Sequence, residues 1–136
     1  MRMLRRFCLS VMLLCLAAPA QAATSTPYAK GGRTKEFAVD VEQYRRSGEL
    51  FRITGHCQSA CTMFLAVRNV CIEPSARLLF HAGDNDTATR RMMNSYNAKL
   101  RGYLTAHHVM QSSAFHTISG RDVISRFGYR GCPGRN

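Results

Sequence analysis

Ser59 sits between Cys57 and Cys61 in GHCQSACT, and His81 follows it by 22 residues in RLLFHA. A serine hydroxyl attacks an acyl carbon only when a tight turn exposes it, a base lies in reach and N–H donors face the developing oxyanion. A strand-to-helix turn at Ser59 would supply the first and the third, through the Ala60 N–H and the positive end of the helix. The plainer reading is also open, because a serine ahead of a helix is most often its N-cap. His81 stands at the carboxyl end of an expected strand, where open α/β sheets place their sites, although a lone strand-end histidine is more often structural. Gly31-Gly32 precedes another expected helix, and its backbone can approach a carbonyl oxygen closely; the alternative is an ordinary loop pair. His56 is near Ser59 in sequence but is expected to point away, while His107, His108 and His116 look like surface.

The first 22 residues read as an export signal. Arg2, Arg5 and Arg6 form a charged head, Phe7 to Ala18 an apolar run, and Ala20-Gln21-Ala22 a small-x-small cleavage pattern. The apolar run is shorter than the ~20 residues that span a bilayer. Removing this segment takes away Cys8 and Cys15 and leaves Cys57, Cys61, Cys71 and Cys132. Four cysteines in an exported chain, periplasmic or secreted, imply two disulfides. Three pairings are open, and Cys57 and Cys61 are expected to bond elsewhere, stitching the serine turn to Cys71 and Cys132. Zinc and thiol-redox sites compete weakly, since C-x-x-C spacing is absent, so no metal and no cofactor are expected.

Of the 19 lysines and arginines, three stand in the leader, so against 8 acidic residues the net charge falls from +11 to +8 on its removal. The charge is spread without long runs and reads as a solvated surface, with weak contact to anionic envelope surfaces. No interleaved aromatic-basic patch is present, and no nucleic-acid partner is expected. Nothing in the pattern sets the oligomeric state.

The elements that must position these residues follow from periodicity and punctuation. Residues 23–136 are long enough for a single domain with one modest core. Phe37, Val41 and Tyr44 share a face of a helix over 33–48, which Gly48 stops. Residues 50–54 read as a strand, 59–68 as a helix apolar nearly all round and therefore buried, Val70 to Ile72 as a short strand, and 77–81 as another. The stretch from Thr89 to about Met110 is helical in propensity and expected to break at Gly102. Ser119-Gly120-Arg121-Asp122 resembles a helix start. Strand–helix–strand alternation at these spacings gives an α/β fold with a mainly parallel sheet flanked by helices.

Gly31-Gly32, GHCQSACT, NVCIEPSARL and FHA, with SGRDVISRFGYRGC at the end, resemble the peptidase branch of the Clp/crotonase superfamily, and more closely its small exported Clp-like proteins of unassigned function. The likeness runs from about Gly31 to Cys132. It implies a Clp/crotonase-like domain in which Ser59 is the nucleophile, His81 the general base, and Gly32 and Ala60 the oxyanion donors. The implied activity is serine hydrolysis of a peptide or another acyl substrate; the alternative is a non-catalytic Clp-like module with a binding or envelope-structural role. The peptidases add an acid that orients the histidine. No carboxylate follows Asp122 in this chain, which leaves Asp122 and Asp84 as weak candidates for the third residue.

Overall fold

The computed structural model of the protein describes residues 21–134, and the export signal expected at 1–22 lies, but for its last two residues, outside the described residues. The described chain is α/β. Six short strands, β1 (Ala23–Thr24), β2 (Phe51–Ile53), β3 (His56–Gln58), β4 (Val70–Ile72), β5 (Arg77–Phe80) and β6 (His116–Ser119), alternate with four helices, α1 (Thr34–Ser47), α2 (Asp86–Met93), α3 (Ala98–Ala106) and α4 (Gly120–Ser125).

The strands form two three-stranded sheets, ordered β1-β2-β4 and β3-β5-β6. All pairings in the first are parallel, as is β3 with β5; β6 runs antiparallel to β5. Two strand pairs bend together to make this split. β2 runs through Gly55 into β3, and β4 runs through Pro74–Ala76 into β5. Bonds from Glu73 N to Ile53 O (2.9 Å) and from Arg77 N to Gly55 O (2.8 Å) hold the two bends side by side.

Parallel neighbours need a crossover; α1 makes it between β1 and β2, and the segment Ser59–Ala66 makes it between β2 and β4 and between β3 and β5. Its residues Ala60 to Leu65 are all buried, as its uniform apolarity requires. It is a 3-10 helix ending at Ala66, tighter and shorter than the helix expected over 59–68. Thr62 Oγ1 donates to the Ser59 carbonyl at 2.7 Å and lies 2.6 Å from the Tyr96 hydroxyl. A side chain reaching back three residues competes with α-helical bonding.

α1 covers the 3-10 crossover. It buries Thr34, Phe37 and Val41 and ends at Gly48, which takes the left-handed conformation at φ 69°. Phe64 stacks on Phe51 with ring centroids 4.3 Å apart, and Tyr44 meets Phe51 edge-on at 4.8 Å. Each fully buried aromatic or aliphatic side chain of this kind is worth ~1.5–3 kcal/mol.

Farther along, the chain departs from its reading. Gly102 lies inside α3 with open space around it and breaks nothing. The break falls between α2 and α3, where Asn97 caps α3 by accepting from Leu100 N. α4 starts as expected from Ser119, whose hydroxyl accepts from Asp122 N at 3.1 Å.

The expectation that Cys57 and Cys61 bond to distant cysteines is wrong. Cys57 bonds Cys61 and Cys71 bonds Cys132. The turn at Ser59 brings the Cα atoms of the first pair to 5.3 Å, inside the span a disulfide needs. Two disulfides fit an oxidising, exported setting. Among the described residues no helix is long and apolar enough to cross a membrane.

Candidate functional site

The register of β3 on β5 builds the site. Gln58 pairs with Leu79, so one step on Ser59 leaves β3 as β5 reaches Phe80, and His81 follows at once. Both emerge at the carboxyl ends of adjacent parallel strands, which stand about 4.8 Å apart. Ser59 turns there with φ 55°, in the left-handed region that a residue with a Cβ enters only at a cost. A strained serine between a strand and a helix start is the backbone form that lifts a hydroxyl out of a sheet. The N-cap position of this 3-10 helix is Gln58, and Ser59 is its first residue, so Ser59 is not the ordinary N-cap.

The Gly31-Gly32 loop is pressed against this turn. Gln58 N donates to Ala29 O at 2.9 Å and Gln58 Nε2 to Lys30 O at 3.0 Å. His56 is exposed, lies 2.7 Å from Gln58 Oε1 and is not among the residues that line the Ser59 cavity. Gly31 has φ 70°, and a Cβ there would stand 2.7 Å from Gln58 O, 2.9 Å from Ser59 Cβ and 3.2 Å from Ala60 N. The bare backbone at Gly31 is therefore what lets the loop lie this close to Ala60 N; Ala60 itself is fully buried. Gly32, the residue expected to offer a donor, lines the same cavity as Ser59.

That cavity, of about 410 Å³, joins Ser59 and His81 to the start of α1 and the first turns of α2. The structure thus brings Ser59, His81, Gly32 and Asp84 together. It does not bring Asp122, which sits in α4 and is not among the residues that line the cavity. His107 and His108 are exposed, and His116 lies 3.2 Å from the Tyr103 hydroxyl.

The dyad is open. His81 Nδ1 and Nε2 are both shielded from solvent, and neither has a hydrogen-bond partner among the described residues. Neither Ser59 Oγ nor the exposed Asp84 carboxylate therefore bonds the ring. Phe115, itself 49% exposed, packs edge-on against His81 with centroids 4.8 Å apart, and Ala82 N donates to Ser112 O at 2.8 Å. Buried polar atoms without partners are uncommon in folded proteins.

Three contributors escaped the sequence reading. Phe115 against His81 had no signal in a poorly patterned segment. Arg91 and Thr34 line the cavity together, with Arg91 Nη1 donating to Thr34 Oγ1 at 2.9 Å, a contact between residues 57 apart. No cluster of three or more histidine, cysteine or carboxylate side chains is placed to hold a metal among the described residues.

Compared with known proteins, the chain matches no family model, no curated protein and no solved structure.

Proposed function

We propose that this chain is an exported, Clp/crotonase-like serine hydrolase acting on peptide or other acyl substrates through Ser59 and His81. The observation that carries the reading is the strained Ser59 turn, which opens into the same cavity as His81 and leans on the side-chain-free Gly31. In the reaction, Ser59 Oγ bonds the acyl carbon as His81 takes the hydroxyl proton. The carbonyl oxygen gains the electron pair and is met by N–H groups of Gly32 and Ala60. His81 then passes the proton to the leaving group, the carbon–leaving-group bond breaks, and water releases the acyl group from Ser59 by the same path.

The Ser59–His81 bond must form as substrate arrives, since catalytic bonds are often long or misaligned in unliganded enzymes. Without an acid on its far nitrogen the imidazole tautomer is not fixed, and a loss of that kind costs ~10⁴ in rate. Slow turnover of activated esters is expected. Ser59→Ala should abolish it and His81→Gln should lower it by ~10²–10⁴; ester turnover unchanged in both variants would remove the hydrolase reading.

A second reading has its own support. The His81 nitrogens, which lack a hydrogen-bond partner among the described residues, suit a Clp-like module that has lost catalysis and serves in binding or envelope structure. Turnover that ignores both substitutions favours this alternative.

A further inference from the structure

The charges around the Ser59 cavity are one-sided. Arg33, Lys35 and Arg91 line it, while Asp84 is the single carboxylate among the lining residues. Arg33 faces Glu36 at 3.6 Å, an exposed pair that solvent screens. Arg91 is different. It is only partly exposed, its guanidinium is fixed by Thr34 Oγ1 at 2.9 Å, and no carboxylate pairs with it in the ion pairs of the described chain. A half-buried guanidinium held in one orientation and lacking an anion is set for a planar, bidentate acceptor. Its anchor, Thr34, lies at the start of α1 next to Lys35 in sequence and lines the same cavity as Ser59.

We propose that Arg91, with Lys35 at the rim, forms a carboxylate subsite, so that the ligand of this cavity is an acyl or peptide compound bearing a free carboxylate. The assignment of the acyl group to Ser59 rests on the hydrolase reading; the carboxylate subsite itself does not. Asp84, exposed in the turn just ahead of α2, is the one lining group that repels the same anion. The carboxylate has two sources within peptides, the chain terminus and an acidic side chain, and both present the same two oxygens.

Binding to the disulfide-intact Ser59→Ala protein separates the subsite from catalysis. Three probes suffice: N-acetyl-Ala-Ala with a free terminus, its terminal amide, and N-acetyl-Asp-Ala amide, titrated calorimetrically at low salt. At least one carboxylate peptide should bind about tenfold more tightly than the neutral amide, and whichever does so names the source. Adding Arg91→Gln should erase most of that preference, whereas Arg91→Lys should keep part of it. Lys35 is exposed, and Lys35→Gln, expected to weaken the preference a few-fold, decides the matter where Arg91→Gln fails to fold. Equal binding of all three peptides, or a preference that survives both neutral substitutions, overturns the subsite. Failure of ester turnover with the preference intact would instead remove only the hydrolase.

Discussion

Ser59 and Gly31 carry the site at the scale of single residues. The left-handed turn at Ser59 needs a neighbour with no side chain, because a Gly31 Cβ would fall 2.9 Å from Ser59 Cβ. Gly31→Ala should therefore cost ~1–2 kcal/mol from its own positive φ alone, plus the displacement of the turn, as read by chemical denaturation. Ester turnover should fall further than stability does, since the shifted atoms are those beside Ala60 N. An alanine variant with unaltered turnover would show that the close approach at Gly31 is not needed. At this scale the sequence was informative: it picked out Ser59, His81 and the glycine pair as candidates, and the structure sets Ser59, His81 and Gly32 around one cavity. Arg91 was not legible, because nothing in TRRMM separates it from Arg90. Only the packing of α2 on α1 sets one arginine against Thr34.

The 3-10 crossover Ser59–Ala66 is the element that fixes the turn, and two devices keep it tight. One is the Cys57–Cys61 disulfide, closed across Ser59. The other is Thr62, shared between the Ser59 carbonyl and the Tyr96 hydroxyl. Tyr96 is 2% exposed, and burial pushes its phenol above the ordinary value of 10. The folded state thus holds a proton that the unfolded chain gives up first. Tyr96 contributes its full stability below pH 10 and loses it progressively as pH rises above 10. Tyr96→Phe should cost ~1 kcal/mol at neutral pH and should soften the alkaline decline measured by thermal melts. Tyr129, also raised by burial, keeps part of that decline. Apolarity all round made the burial of this element legible. Its 3-10 form and the Cys57–Cys61 pairing were not legible, because both follow from the turn at Ser59 and from a contact with Tyr96, 34 residues away. α1 was easier, since its apolar spacing and Gly48 are local signals.

The whole molecule is closed by its tail. Cys132 N donates to Ile72 O at 2.9 Å and Ile72 N to Arg130 O at 2.8 Å, so the tail lies along β4 before the Cys71–Cys132 bond locks it. That bond spans 61 residues against 4 for Cys57–Cys61. In the chain-entropy picture the long closure is worth ~4 kcal/mol and the short one ~2. Replacing Cys71 and Cys132 by alanine should lower the denaturation midpoint more than replacing Cys57 and Cys61, yet disturb the Ser59 turn less. The parallel strand–helix–strand order was readable from alternation, but the division into two sheets was not, because it depends on paired bends at Gly55 and Pro74–Ala76. The central claim, that Ser59 is an activated nucleophile, is tested most directly with a fluorophosphonate probe on the disulfide-intact protein. Mass spectrometry should place one adduct on Ser59, formed slowly, absent from Ser59→Ala and reduced in His81→Gln. Equal labelling of the protein and its Ser59→Ala form, or an adduct at another residue, would contradict it.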